Sequence, residues 1–545
     1  MPRTPVLSLL ALLPLPLLAV ELPAVFSDHA VLQSGDDTPV WGSGRDGEQV
    51  TVSIAGVSAQ ATVAGGTWMV RLKGLKPAAE GQALVVKGDN TLTVQDVLIG
   101  DVWLCSGQSN MEWSLSKSHT GVEDIPKATD AGIRLFLVTK ATSRTPLKDV
   151  KAQWKVCSPE SAAPFSAVGY YFGRELRQAR QVPVGLLGSY WGGTPAQSWT
   201  STEGLAAAPA FANYLQAQKD FDAKVAKLRA EWPQTKAKYE ADQKAVKEAN
   251  AKADAEWAKA AAAAKAAGQP EPAKPKPQPE PKRVSDPDNN PSIPANLYNG
   301  MIAPLVPYGI TGAIWYQGES NAGASAEYAT LFPRMITDWR GRWGRGDFPF
   351  LFVHLSTWKE PQKDPVEVAG GIAQVRQTQQ AALDLPKTGM ASALDINNGS
   401  DIHPADKLDV GKRLALVARK VAYGEDVKSE SPRFKAITVE GSSLRVTLEH
   451  ADGLRVAVPP WLGGKATKPS ATEPSGFALC GADGVWHWAK ARIDGAALVL
   501  TSAEVPAPVA AAHAWAPNPS VNVYNAQGLP LLPFVSDPAK LPAVK

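Results

Sequence analysis

The sequence predicts an α/β fold, a doubly wound parallel sheet flanked by N- and C-terminal β-sandwich-like domains, with an inserted helical arm. Short strand-like segments separated by Gly, Asp and Asn fill residues 21–97 and return over residues 431–545. Between them, residues 98–430 alternate apolar strands with amphipathic helices, the pattern of a parallel sheet covered by helices. Residues 205–290 interrupt that alternation with an Ala/Lys/Glu-rich stretch and then a proline-rich one.

Composition limits the partners of this chain. Its 545 residues are too many for a single core and predict roughly three or four domains. Lys and Arg number 56 against 53 Asp and Glu, and no basic stripe interleaved with aromatic residues is present. The charge pattern of a nucleic-acid-binding protein is therefore missing, and nucleic acid is not an expected partner. The sequence leaves the oligomeric state open.

The first twenty residues predict a secretory signal peptide. Arg3 precedes an apolar run from Val6 to Val20 that is too short and too rich in proline for a membrane-spanning helix. No later stretch approaches the length of a span. We therefore expect an exported protein, periplasmic or extracellular.

Three cysteines allow at most one disulfide. Cys105 and Cys157 are the expected pair, because both fall in the same domain, which leaves Cys480 unpaired. The cysteines and the seven histidines show no spacing typical of a metal site, so none is predicted.

Residues 21–97 predict the N-terminal β domain. Segments such as Gln49–Ile54, Thr67–Leu72 and Ala83–Lys87 are typical of short strands in a small sandwich. No candidate chemistry is visible in this domain.

The first strand of the α/β domain carries a candidate nucleophile. Val102–Cys105 is apolar and runs into the small, polar turn Ser106–Asn110. A serine in a strand-to-helix turn lies beside helix amides that have no internal partner and are able to hold an oxyanion. Ser109 is therefore a candidate nucleophile; the alternative is that it caps the following helix.

The second strand leads to a pair of glycines. Ser166 is suited to cap a helix that ends near Arg180, and Val182–Gly188 is typical of a buried strand. Gly192 and Gly193 follow that strand. Their N–H groups are candidate donors to a closely approaching ligand, and the alternative is a plain turn.

The inserted arm has the composition of a solvated excursion. Helices are predicted over Phe221–Leu228 and Lys236–Ala266, separated near Pro233. From Gly268 to Pro281, proline alternates with Lys, Glu and Gln, which indicates a stiff polyproline-like linker.

Three more strand–helix repeats complete the α/β domain. The strands are predicted at Gly309–Tyr316, Phe348–His354 and Met390–Ile396, and the helices at Tyr328–Trp343, Ile372–Leu383 and Lys407–Tyr423. In a doubly wound sheet, ligands bind where the loops after the strands gather. Ser109, Gly192, Gln317 and His403 are therefore expected on one rim. Further strands at Lys435–Val439, Ser443–Leu448 and Ala497–Thr501 predict the C-terminal β domain.

A nucleophilic serine needs a base, and the base needs an orienting group. His403 lies in the last loop of the α/β domain, with Asp401 two residues before it and Pro404 behind it. The order differs from that of α/β-hydrolases, in which the nucleophile comes mid-domain and the acid lies well upstream of the histidine. A structural role is the alternative for His403.

Four motifs together resemble one family. Gly107–Met111, Trp191–Pro195, Gln317–Asn321 and Asp401–Pro404 are similar to the four blocks of the sialate O-acetylesterase group within the SGNH hydrolase superfamily. Leu22–Gln33 and Asn296–Met301 also resemble segments of that group. The resemblance covers nearly the whole chain apart from the signal peptide and the arm, and it implies an SGNH-type sheet.

The resemblance implies roles for these residues. Ser109 attacks an acetyl carbonyl, His403 is general base and then acid, and Asp401 orients His403. Glu319 is the rival orienting acid, because many superfamily members have a longer spacing between acid and histidine. The oxyanion donors are the N–H of Ser109, an N–H of Gly192 or Gly193, and a side-chain amide. Gln317 is the preferred amide and Asn321 the reserve, since Ser320 stands where the superfamily has Asn.

The expected function is that of a cofactor-free, secreted carbohydrate O-acetylesterase acting through an acetyl-serine intermediate. Its expected substrate is an O-acetylated carbohydrate, with O-acetylated sialic acid favoured by the resemblance. An acetylxylan esterase is the alternative within enzymes. A non-catalytic carbohydrate-binding protein is the alternative from another class.

Overall fold

A computed structural model describes residues 19–282, 284–397, 399–459 and 469–542. The predicted signal peptide lies almost wholly outside these ranges. The strands are β1 Val31–Gln33, β2 Thr38–Ser43, β3 Gln49–Ile54, β4 Val57–Thr62, β5 Thr67–Leu72, β6 Ala78–Lys87, β7 Thr91–Gly107, β8 Asp130–Leu137, β9 Trp154–Cys157, β10 Val184–Tyr190, β11 Gly312–Tyr316, β12 Phe350–His354, β13 Thr388–Ser392, β14 Arg433–Glu440, β15 Ser443–Glu449, β16 Arg455–Val456, β17 Phe477–Cys480, β18 Trp486–Trp488, β19 Lys490–Asp494, β20 Ala497–Thr501, β21 Ala510–His513, β22 Val523–Tyr524 and β23 Phe534–Val535. The helices are α1 Ser109–Glu112, α2 Gly121–Asp124, α3 Pro159–Ala162, α4 Ala167–Arg180, α5 Thr202–Ala206, α6 Ala212–Ala266, α7 Ser325–Trp343, α8 Ile372–Ala381 and α9 Leu408–Val421.

The main sheet confirms a mixed α/β fold rich in parallel pairing. Its strands run in the order β13-β12-β11-β7-β10-β8-β9, and every neighbouring pair is parallel except β8 with β9 at the edge. Gly107 at the end of β7 is in register with Tyr190 of β10 on one side and Tyr316 of β11 on the other. Three strand ends therefore meet at one level of the rim.

Strand β7 is shared by the N-terminal β region and the main sheet. Its first half pairs with β6, and residues Leu98–Gly100 pair with β1, before its second half enters the parallel sheet. The predicted boundary between residues 97 and 98 thus falls inside a continuous 17-residue strand. One hydrophobic core holds residues of both regions, for example Val31, Val86 and Trp103.

The sequence prediction missed two strands, β8 and β9. Both lie between the first predicted strand of the α/β domain and the helix capped by Ser166, where no element was predicted. Strand β8 is buried along most of its length, whereas β9 is covered on one face only: Trp154 and Cys157 are buried and Lys155 is exposed. Such a short edge strand has a weak sequence signal, because only one of its faces is covered.

Residues 212–266 form one 55-residue helix, α6, that continues through Pro233 where the sequence predicted a break. Strong helix formers on both sides of the proline offset the local loss of one hydrogen bond. The base of α6 is fixed to the protein: Tyr214 and Gln218 are buried, and Arg144 pairs with Asp222.

The proline-rich segment returns along α6. Asn250 exchanges two hydrogen bonds with the backbone of Gln278, and the Trp257 indole donates to the Pro272 carbonyl at 2.9 Å. The extended proline-rich segment therefore lies beside helix α6 between Asn250 and Trp257.

The predicted disulfide is wrong, because all three cysteines are free and buried. Cys105 lies on β7 and Cys157 on β9, with β10 and β8 between them. Three strand spacings of about 4.8 Å place the two residues at least about 14 Å apart, twice the largest Cα separation that a disulfide spans.

The C-terminal strands carry cores of their own and contact the α/β region. Arg376 of α8 is fully buried and donates to the carbonyls of Ala516 and Pro517 at 2.8 and 2.9 Å. None of the helices described is long and apolar enough to cross a membrane.

Candidate active site

Ser109 lies at the first position of α1, two residues after the end of β7. Gly107 has φ +140°, and a Cβ there would lie 2.2 Å from the Tyr316 carbonyl oxygen, so only glycine fits the bend. The residue that caps α1 is Gln108, and it makes no side-chain capping bond. The Ser109 hydroxyl is thus not a cap; it is hydrogen-bonded to a histidine.

His403 connects Ser109 to Asp401. The distance from His403 Nε2 to Ser109 Oγ is 2.8 Å, and that from His403 Nδ1 to Asp401 Oδ1 is 2.9 Å. The same Oδ1 accepts the backbone N–H of His403 at 3.0 Å. The two-residue spacing therefore allows the carboxylate to fold back onto the ring. The indole of Trp113 stacks on His403 with centroids 5.1 Å apart.

Glu319 is hydrogen-bonded to Asn110 and not to His403. Its Oε1 accepts from Asn110 Nδ2 at 2.6 Å, and the same Asn110 amide donates to the Ile402 carbonyl at 3.2 Å. Lys407, fully buried, donates to Asn110 Oδ1 at 2.6 Å. Asn110 follows the nucleophile directly, so its hydrogen bond to the Ile402 carbonyl connects the nucleophile turn to the backbone between Asp401 and His403.

Burial shifts both ionisable groups of this cluster toward their neutral forms. It lowers the pKa of Lys407 to about 7, against the attraction of Glu319 and neighbouring aspartates. It raises the pKa of the Glu319 carboxyl, against a backbone hydrogen bond, the Asn110 amide and the charge of Lys407. The cluster is therefore a low-dielectric support in which neither charge is fully solvated.

Gly192 lies beside the nucleophile, but its N–H is engaged. A Cβ at Gly192 would lie 3.2 Å from Ser109 Cβ, and its N–H donates to Glu112 Oε2 at 2.5 Å. The other oxygen of Glu112 accepts from Lys140 Nζ at 2.5 Å. A side chain of the protein thus holds the expected oxyanion donor. Gly193, with φ +74°, is exposed next to it.

Gln317 and Asn321 are tied to each other. Gln317 Nε2 donates to Asn321 Oδ1 at 2.6 Å and to the Thr194 carbonyl at 3.3 Å. Asn321 Oδ1 also accepts the Ala196 N–H at 2.9 Å. Both amides hold the loop after Gly193, and an oxyanion contact from Gln317 would replace one of these bonds. Its role as a donor stays a prediction.

Four further residues of the site were not singled out from the sequence: Glu112, Trp113, Lys140 and Lys407. Glu112 and Trp113 directly follow the motif Gly107–Met111 that contains Ser109, so their position in the sequence indicated that they lie near the site. Lys140 follows the missed strand β8, and Lys407 precedes a helix. Neither lysine has a local pattern that marks it.

An open cavity of about 690 Å³ contains Ser109 and His403. Its walls include Trp113, Lys117 and Lys140. The volume lies within the range of about 300–1,000 Å³ typical of small-ligand sites. Across the described ranges, no group of three or more His, Cys, Asp or Glu side chains is placed to hold a metal ion.

Comparisons with known proteins agree on one class of enzyme. Residues 291–420 match the family model described as carbohydrate esterase, sialic acid-specific acetylesterase. The mouse sialate O-acetylesterase is 30% identical over 458 residues, covering 76% of this chain and 76% of the relative. The human sialate O-acetylesterase is 30% identical over 428 residues, covering 71% of this chain and 68% of the relative.

A solved structure extends the likeness to the fold. A carbohydrate acetylesterase from Xanthomonas citri superposes with a TM-score of 0.74 at 33% identity, over 95% of this chain and all of that one.

Proposed function

This chain belongs to the sialate O-acetylesterase family and is an ester hydrolase, and from this we propose that it removes acetyl groups from O-acetylated sugars through a covalent acetyl-serine. The observation that carries the proposal is the pair of contacts at His403. One ring nitrogen lies 2.8 Å from the Ser109 hydroxyl and the other 2.9 Å from the Asp401 carboxylate. A histidine that contacts a serine hydroxyl and is oriented by a carboxylate is the arrangement that activates a nucleophilic serine.

The first step forms the acyl-enzyme. His403 Nε2 takes the proton of Ser109 as Oγ attacks the acetyl carbonyl, and the carbonyl electron pair moves onto oxygen. Asp401 fixes the tautomer of His403 and stabilises the imidazolium. Collapse of the tetrahedral intermediate breaks the bond to the sugar oxygen, which receives the proton from His403. In the second step, water repeats the sequence, releasing acetate and restoring Ser109.

The oxyanion forms next to the amino end of α1. The Ser109 N–H and the Gly192 N–H are the proposed backbone donors. Gly192 becomes available when its bond to Glu112 is exchanged for one to the acyl oxygen. Glu112 then keeps Lys140 as its partner, so its charge does not become isolated.

Glu319 and Lys407 are proposed as positioning residues. They hold the Asn110 amide, and Asn110 holds the Ile402 carbonyl between the acid and the base. Asp401 is therefore the proposed orienting acid, supported by its 2.9 Å contact with His403 Nδ1, and Glu319, the rival acid in the sequence, is proposed only to position Asn110.

The proposed substrate is an O-acetylated sialic acid. Lys117 and Lys140 line the cavity of Ser109 and suit a sugar that carries a carboxylate. We also propose export, because the first twenty residues have the composition of a signal peptide. The intact mass of the protein secreted by its own host tests export, and an uncleaved N-terminus would contradict it.

The catalytic proposal is tested with p-nitrophenyl acetate. Purified protein should hydrolyse it, and Ser109→Ala, which keeps the fold but removes the nucleophile, should reduce kcat to near background. A fluorophosphonate should label Ser109 and no other serine in the wild-type protein. Equal rates for the two proteins, or labelling elsewhere, would overturn the mechanism.

A further inference from the structure

The cavity of Ser109 continues into a second one along the sheet edge. The second cavity has a volume of about 460 Å³ and shares Leu137, Thr139 and Pro164 with the first. Its floor is the β8–β9 pair, in which Leu135 stands opposite Lys155. The Thr139 N–H donates to the Lys151 carbonyl at 2.9 Å and extends that pairing. The groove is thus built on paired backbone rather than on a free loop.

The charges that line the groove have one sign. Lys117 and Lys140 line the first cavity, and Lys151 and Lys155 line the second. Glu112 is the single acidic residue among those lining either cavity, and it is bound to Lys140. Lys151 and Lys155 are exposed. The chain as a whole carries only +3, so the lysines of this groove are a local concentration of charge.

The shared wall between the cavities is apolar. Leu137 keeps 39% of its surface exposed, although it is a large hydrophobic residue at the end of β8. Pro164 is exposed beside it. An apolar strip with cations beyond it suits the C–H face of a sugar ring whose neighbour carries an anionic group.

We propose that this groove binds an acidic oligosaccharide, with the acetylated residue at Ser109 and a carboxylate-bearing residue over Lys151 and Lys155. The inference rests on the proposed function, because it places the chain that the esterase deacetylates. It predicts that the enzyme acts on a polymer or oligomer in preference to a single sugar.

The test compares O-acetylated sialic acid with its O-acetylated trimer. Each exposed ion pair adds at most about fivefold in affinity, so two should give the trimer a kcat/KM that is about 2- to 25-fold higher. Lys151→Gln/Lys155→Gln should remove that advantage and leave p-nitrophenyl acetate hydrolysis unchanged. Lys148→Gln is the matched control: it is exposed in the same segment and lines a different cavity.

Further substrates show whether the groove recognises a carboxylate alone or the sialic acid that carries it. If any carboxylate suffices, the double variant should also lose activity on acetylated oligogalacturonate. If the sugar is recognised as well, only sialate oligomers should depend on Lys151 and Lys155. Acetylated xylo-oligosaccharide, which is neutral, should be insensitive to the double variant. The proposal would be overturned if the trimer had no advantage in kcat/KM, or if the double variant kept that advantage. An equal loss of kcat/KM for the neutral xylo-oligosaccharide in the double variant would also overturn it.

Binding gives a readout that does not need turnover. A sialic acid trimer without acetyl groups, titrated calorimetrically into the wild-type protein, should bind more weakly to the double variant and more weakly at higher salt. If the protein binds the trimer but does not hydrolyse p-nitrophenyl acetate, the catalytic proposal is refuted and the proposal of oligosaccharide binding stands. If it hydrolyses p-nitrophenyl acetate but does not bind the trimer, only the proposal of oligosaccharide binding is refuted.

Discussion

Replacement of Asp401 by Asn tests which acid orients His403. The amide keeps the shape of the carboxylate, and its oxygen is able to accept both the His403 backbone N–H and Nδ1–H, at present 3.0 and 2.9 Å away. What disappears is the negative charge beside the imidazolium. A hydrogen bond to a charged group contributes about 1.5–3 kcal/mol, which corresponds to about 10- to 150-fold in kcat.

The exposure of Asp401 places the expected loss at the low end of that range. Its side chain is 61% exposed, so water screens its charge. The corresponding replacement of a buried acid in a serine protease triad lowers kcat by ~10⁴. We therefore expect Asp401→Asn to lower kcat by about 10- to 50-fold.

Glu319→Gln is the matched variant. Gln retains an oxygen that accepts from Asn110, and burial already favours the neutral form of this carboxyl by raising its pKa. We expect kcat to fall less than about threefold by the same hydrogen-bond scale. Saturating acetyl ester kinetics measure both, with thermal melts as the control for folding. Loss by orders of magnitude in Glu319→Gln, with a mild effect of Asp401→Asn, would refute the assignment.

Three other outcomes follow from the structure. Burial lowers the pKa of His354 to about 3, so between pH 6.5 and 4 only the unfolded chain takes up its proton and the contribution of His354 to stability falls by about 3 kcal/mol. Buried His513 has the same shift, so urea titrations should show a loss of stability that is about 3 kcal/mol smaller in His354→Gln than in the wild type, and equal losses would contradict the prediction. Replacement of residues 232–281 by a short Gly/Ser bridge should change p-nitrophenyl acetate kcat less than about twofold, because the buried base of α6 is kept; loss of most activity would show that the outer arm supports the site. Ellman's reagent should find no reactive thiol in the native protein, because burial raises the pKa of all three cysteines. In denaturant without reductant it should find three thiols, because all three cysteines are free, and fewer than three would indicate a disulfide.

Five of the six parallel strands of the main sheet were predictable, because each is buried on both faces and is therefore a short apolar run; β8 was missed, although five of its residues in a row are buried, because Arg134 interrupts its apolar run. The ends of those runs marked Ser109 and His403, since polar turn residues follow each strand. Strand β9 escaped because half of it is exposed, and the continuity of α6 escaped because Pro233 outweighed its neighbours in a local interpretation.

The contacts that control the oxyanion donor had no sequence signal. The bond between Glu112 and Lys140 joins residues 28 positions apart and depends on the packing of two long side chains. The engagement of Gln317 by Asn321 is local, yet no spacing rule distinguishes an amide that binds its neighbour from one that faces a ligand. Such choices are made by three-dimensional packing.

The long strand β7 also has a consequence for how the chain assembles. Its pairing with β6 joins residues close in sequence, whereas β10 and β11, its neighbours in the parallel sheet, lie much farther along the chain. Because local contacts form before distant ones, we expect the strand that carries Ser109 to pair with β6 before it pairs with β10 and β11. The 55-residue helix inserted between β10 and β11 leaves the rim intact because its base is bonded to the chain that returns from it. Gln218 Nε2 donates to the Pro294 carbonyl at 2.8 Å, so the insertion leaves and re-enters the α/β region at one place.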